Sequence, residues 1–121
     1  MNDAKDDRLY LDHILESIGR VKRYTAGGRS AFLADEMAQD AVVRNLQTLA
    51  ESTQRLSAAV KAQHPSIDWR RISQFRNFVV HGYLEIKYER IWLTVEQQLD
   101  PLEQAARQAL ADLDAMEASE E

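Results

Sequence analysis

Between Asp35 and Lys61 the residues Val42, Leu46, Leu49, Thr53, Leu56 and Val60 recur at intervals of three or four. That spacing follows the α-helical turn and puts all six on one face, so the segment reads as one long helix with a continuous buried stripe. A helix with a single apolar face needs apolar partners, and the chain supplies them. Tyr10, Ile14, Ile18 and Val21 form a stripe after Asp6 or Asp7, either of which can cap a first helix, and Ala26-Gly27-Gly28 ends it. Ser30 to Leu33 reads as a lead-in turn to the long helix, and His64-Pro65 closes that helix because a residue before proline avoids helical angles. Trp69, Ile72, Phe75, Val79 and Val80 mark a third helix, capped by Ser66 or Asp68 and stopped by Gly82.

A fourth helical stretch opens near Ile86 and carries Tyr88, Ile91, Trp92, Val95 and Leu99. Asp100-Pro101-Leu102-Glu103 then has the form of a helix start, with Asp as cap, Pro in the first helical position and Glu reaching back. Leu102, Ala106, Leu110 and Leu113 continue either after a kink or on a fifth helix. Residues 115–121 read as a frayed acidic tail. Strand alternation, repeats and interdomain linkers are absent from the sequence pattern. The expected architecture is all-α: one domain over residues 1–121, an antiparallel bundle of four to five helices.

Composition narrows the functional classes. The chain has no cysteine, which removes disulfides and thiolate metal sites and fits a reducing cytoplasm. No apolar run reaches the roughly 20 residues of a membrane span, so a cytoplasmic protein without a membrane partner is expected. The net charge of −5 argues against a nucleic-acid partner until its distribution is considered. Residues 112 to 121 hold five acids and no base, which leaves residues 1 to 111 neutral. Between Ser66 and Trp92 five bases (Arg70, Arg71, Arg76, Lys87, Arg90) face three acids (Asp68, Glu85, Glu89). A locally basic face fits this pattern, though not the broad footprint of a tight non-specific binder.

Within that stretch, Arg76-Asn77-Phe78-Val79-Val80-His81-Gly82-Tyr83 combines a permanent cation, a titratable imidazole and a phenol at a helix end. Arginine grips phosphate in a planar, bidentate fashion, and histidine exchanges protons near neutral pH. Cleaving RNA without metal needs a base for the 2′-hydroxyl, an acid for the leaving oxygen and a cation for the developing charge. Arg76 and His81 stand about 140° apart on an ideal helix, so they share a phosphate only if the helix loosens before Gly82 or two chains combine. Asn77 lies about 40° from His81 and is placed to orient its imidazole. One histidine does not easily act as both base and acid. A two-fold dimer bringing two copies of His81 together resolves this.

The same residues also fit a well-capped helix end, with His81 against the helix dipole, Arg76 on a surface carboxylate and Gly82 as a cap. His13 and His64 offer less, and no two of the three histidines stand at metal-ligand spacing, so neither a metal nor another cofactor is expected. Asp40 and Arg44 read as a surface ion pair at i, i+4, and Gly27-Gly28 as a turn rather than a phosphate loop. Trp69 and Trp92 fall on apolar stripes, in the core or at a dimer interface.

The motif Arg76-Asn77-x-x-x-His81-Gly82-Tyr83 resembles the R-x-x-x-x-H-x-Y signature of HepT-like ribonuclease toxins of the HEPN superfamily. Asp7-Arg8-Leu9-Tyr10-Leu11, Arg23 to Gly28, Asp40 to Leu46 and Trp69-Arg70-Arg71-Ile72 are similar to the family as well, so the likeness covers most of the chain. It implies an all-helical homodimer whose paired motifs make a composite, metal-independent RNA-cleaving site. It further implies the toxin of a type VII toxin-antitoxin pair, beside an MntA-like nucleotidyltransferase antitoxin that transfers AMP to the motif tyrosine. Carried over, Arg76 would bind and polarise phosphate, His81 would transfer protons, Asn77 would support them and Tyr83 would be modified. Other members of the superfamily suggest an alternative, a non-catalytic binding or scaffold subunit of a nucleotidyltransferase complex.

Overall fold

The computed structural model describes residues 3–77 and 87–120. Among these residues all regular structure is helical: α1 (Asp3–Tyr24), α2 (Arg29–Leu33), α3 (Glu36–Arg55), α4 (Ala58–Gln63), α5 (Trp69–Ser73) with a 3-10 turn at Gln74–Arg76, and α6 (Tyr88–Glu120). The antiparallel order follows from side-chain contacts along α1. Asp7, near its start, bonds Ser57 just past the end of α3, and Arg8 reaches Asp114 and Glu117 near the end of α6. Lys22, two residues before the end of α1, meets Asp100 and Glu103 in the middle of α6. Helix α1 therefore runs opposite to both α3 and α6. The bundle is all-α, as its periodicity predicts.

The stripes read from the sequence are the core. Ile14, Ile18 and Val21 on α1 pack with Val42, Leu46 and Leu49 on α3, with Ile72 and Phe75 around the 3-10 turn, and with Ile91, Leu99 and Leu102 on α6. Burying each such side chain is worth about 1.5–3 kcal/mol relative to leaving it in water. Helix α2 joins through Phe32, whose ring lies 5.9 Å from Trp92 and 6.4 Å from Tyr88. Gly28 makes the turn before α2 with φ +93°, a left-handed angle that disfavours any residue with a Cβ.

Several helix boundaries differ from expectation, and the two largest differences, at Leu56 and at Pro101, have tertiary causes. The long stripe is buried from Val42 to Val60, yet the helix expected over Asp35 to Lys61 breaks at Leu56, where ψ is 145°. Asp35 caps α3 by accepting from the Ala38 N–H, while Ser57 caps a separate α4 by accepting from Val60 N–H. Asp7 holds that break in place. It is not a cap of α1, which is already helical at Asp3 and runs through Asp6. Instead its buried carboxylate accepts the Ser57 N–H at 2.8 Å and the Ser57 hydroxyl at 2.7 Å.

At Pro101 the reverse happens. A helix start is expected there, but α6 continues through the proline for 33 residues. Proline inside a helix removes one hydrogen bond and costs about 3 kcal/mol. Leu99 and Leu102, both 1% exposed, are buried on either side of it and offset that cost. Asp100 and Glu103 do not form a capping box. Both reach Lys22, at 2.5 Å and 2.9 Å. Helix α6 also extends to Glu120 through the segment expected to fray, with Asp114 and Glu117 tied to Arg8 at 2.6 Å and 2.8 Å.

Candidate functional site

The first half of the motif is built by Asp68. Its carboxylate accepts the Arg71 N–H at 3.0 Å, which makes it, rather than Ser66, the cap of α5. Helix α5 lasts only to Ser73. The Ser73 hydroxyl donates to the Arg70 carbonyl at 2.8 Å, the acceptor that Gln74 N–H would use in a continuing α-helix. Gln74 N–H bonds the Arg71 carbonyl instead, and the chain tightens into the 3-10 turn. Such a turn advances about 120° per residue rather than about 100°, so α-helical wheel positions do not carry through Gln74–Arg76. Ile72 and Phe75, three apart and both buried, anchor the turn to the core.

Arg76 closes this turn with its guanidinium in solvent. It donates to the Gln54 side-chain oxygen near the end of α3 at 3.3 Å and has no carboxylate partner among the described residues. Asn77 follows in helical conformation and is exposed. His81, Gly82 and Tyr83 lie outside the described residues, so the structure brings Arg76 and Asn77 together and leaves their relation to His81 and Tyr83 as an expectation.

A cleft that the sequence does not single out lies beside the turn. Arg71, Gln74 and Phe75 form one wall and Arg90, Leu93, Thr94 and Gln97 of α6 the other, enclosing about 360 Å³. No acid is among these lining residues, and neither arginine makes a side-chain hydrogen bond or ion pair within the described residues. The excess of bases between Ser66 and Trp92 was its one sequence signal. A second cleft of about 490 Å³ has mixed charge, with Glu89 beside Lys87 and Arg90. Tyr88 also lines it, and burial, then the charges of Asp40 and Glu36, raises its hydroxyl above the ordinary tyrosine value.

The other candidates resolve simply. Trp69 is half-buried, and its indole N–H donates to the Lys61 and His64 carbonyls at 3.1 Å and 3.2 Å. Trp92 packs on Phe32. His13 is exposed, with its ring 6.4 Å from Tyr10, whereas His64 is half-buried at the end of α4. Asp40 and Arg44 do not pair, contrary to expectation; Asp40 instead bears on Tyr88 across the bundle. Among the described residues no three His, Cys, Asp or Glu side chains come together to hold a metal ion, and no helix is long and apolar enough to cross a membrane.

Comparison with known proteins places this geometry. Residues 14–109 match the family described as "Ribonuclease HepT-like". A "Gamma-glutamylcyclotransferase and putative RNase" of Methanocaldococcus jannaschii is 26% identical over 91% of this chain, and the chain spans 50% of that protein's length. A "Putative RNase" of Caldanaerobacter subterraneus subsp. tengcongensis is 29% identical over 88% of this chain and 96% of its own. A "Probable ribonuclease HepT" of Thermococcus cleftensis is 30% identical over 77% of this chain and 86% of its own. No solved structure gives a significant match.

Proposed function

Because the chain belongs to the HepT-like ribonuclease family, we propose that it is a metal-independent endoribonuclease and the toxin of a toxin-antitoxin pair. The observation that carries this reading is the family match over residues 14–109, which includes the whole motif. The exposed Arg76 guanidinium supports it, since it has no carboxylate partner among the described residues and an exposed arginine can take a phosphate. In the reaction, a base removes the 2′-hydroxyl proton and that oxygen attacks the adjacent phosphorus. The bond to the 5′-oxygen breaks as an acid protonates it, leaving a cyclic phosphate. Arg76 neutralises charge on the non-bridging oxygens, and His81 of each chain in a homodimer supplies one of the two proton transfers. Asn77 holds the imidazole.

Tyr83 is the proposed off-switch. Its hydroxyl attacks the α-phosphorus of ATP on a partner nucleotidyltransferase, pyrophosphate leaves, and AMP remains on the phenol. The added bulk and negative charge, two residues from His81, exclude an RNA phosphate. The net charge of −5 favours a second reading, a non-catalytic subunit of the nucleotidyltransferase complex. One experiment separates them. Protein made with and without the partner is weighed intact and incubated with RNA. Cleavage by unmodified protein, lost with AMP on Tyr83 or in His81→Ala with the dimer intact, supports the nuclease. Cleavage by His81→Ala at the wild-type rate overturns the mechanism, and no cleavage by unmodified protein supports the subunit reading.

A further inference from the structure

We infer that the cleft between α5 and α6 is a substrate subsite, in which Arg71 and Arg90 grip the backbone phosphates of single-stranded RNA leading to the motif; this rests on the ribonuclease reading. Both arginines line the cleft, one on each wall, and no carboxylate is among its described lining residues. Two arginines on one cleft offer two planar, bidentate grips for anionic groups of one strand. The volume of about 360 Å³ lies within the range of about 300–1,000 Å³ for ligand sites and suits a short piece of one strand.

The remaining lining suits RNA. Gln74, Gln97 and Thr94 offer amide and hydroxyl groups for the sugar 2′-hydroxyl and base edges, and Leu93, 48% exposed, offers apolar surface for a base. Location makes the cleft part of the same site. Gln74 belongs both to the cleft and to the 3-10 turn that ends at Arg76, about 4 Å further along the turn axis. The Arg76 side chain itself turns to Gln54 of α3, so a strand held by Arg71 and Arg90 runs beside the turn that carries the motif. These arginines position the substrate and leave the proton transfers to the motif.

The test uses the full-length, unmodified chain and a fluorescently labelled single-stranded RNA. Affinity is measured by anisotropy over a salt series in a His81→Ala background, and cleavage kinetics in the wild-type background. Replacing Arg71 and Arg90 together by Ala should lower the log–log salt slope by about 1.4, at roughly 0.7 per lost phosphate contact. KM should rise while kcat holds, Lys at both positions should recover most of the slope, and the unfolding temperature should not move. An unchanged slope overturns the inference; if the double variant also dissociates the dimer in sedimentation, a second copy of the chain is the occupant. RNA cleavage with an unchanged slope sinks the subsite alone. Binding that depends on both arginines without any cleavage by the wild-type chain sinks the ribonuclease reading and leaves the cleft standing. Failure of the wild-type chain to bind RNA overturns the inference too.

Discussion

The seam between α1 and α6 and the face formed by α5 with the start of α6 use the same kinds of residue to opposite ends. Along the seam each cation is occupied twice: Arg8 by Asp114 and Glu117, Lys22 by Asp100 and Glu103. On the other face Arg71, Arg76 and Arg90 have no carboxylate partner among the described residues, where Arg76 bonds the neutral Gln54 amide at 3.3 Å. Paired charge fixes helix register at modest gain, whereas unpaired arginine keeps its capacity for an incoming anion. The seam is held and the other face is left available.

The largest break in this contrast should come from the motif face. Arg76→Ala is expected to lower the RNA cleavage rate by about 10²–10³-fold, the loss typical of one transition-state charge stabiliser, with no change in unfolding temperature. An equal fall in stability would instead make Arg76 structural. Asp7→Ala, where α1 holds the α3–α4 break, should act the other way: activity per folded molecule intact, stability in urea lower by about 1–3 kcal/mol. It leaves the Ser57 N–H and hydroxyl without their buried acceptor.

Pro101→Ala sharpens the account of α6. If the helix is continuous because its apolar face is buried on both sides, removing the proline should raise stability by roughly 1–3 kcal/mol. A loss of stability would mean that the proline shapes a kink the core needs. The smallest effect belongs to Lys22→Met, below about 1 kcal/mol for so exposed a pair. Asp100 and then Glu103 raise the Lys22 pKa above its ordinary 10.5, so the native state binds that proton more tightly. Its contribution is therefore full below pH 10.5 and fades as the pH climbs beyond it. Wild type and variant should converge in urea midpoint at high pH, and a constant gap would rule out the charge as its source.

Much of the fold is legible in the chain. The spacing of Val42, Leu46 and Leu49 and of Ile14, Ile18 and Val21 predicts buried faces because a helix repeats every 3.6 residues whatever surrounds it. The caps Asp35 and Asp68 are legible for the same local reason: each bonds an N–H three residues on. Of the candidate site, the Arg76 to Tyr83 motif was legible because it is contiguous. The Arg71–Arg90 cleft was hinted at only by local charge.

The sequence by itself determined the helical class, the core stripes, the motif and its family, since all of these depend on residue type and near-neighbour spacing. Tertiary structure decided where helices end and what each charge does. Asp7 lies 50 residues from Ser57 and Lys22 lies 78 from Asp100, so no local pattern reveals that one fixes a helix break and the other joins the helix across a proline. The same holds for Arg71 and Arg90. Only the tertiary fold sets Arg71 of α5 and Arg90 of α6 on one cleft, because charge reaches through space while a motif reads only along the chain.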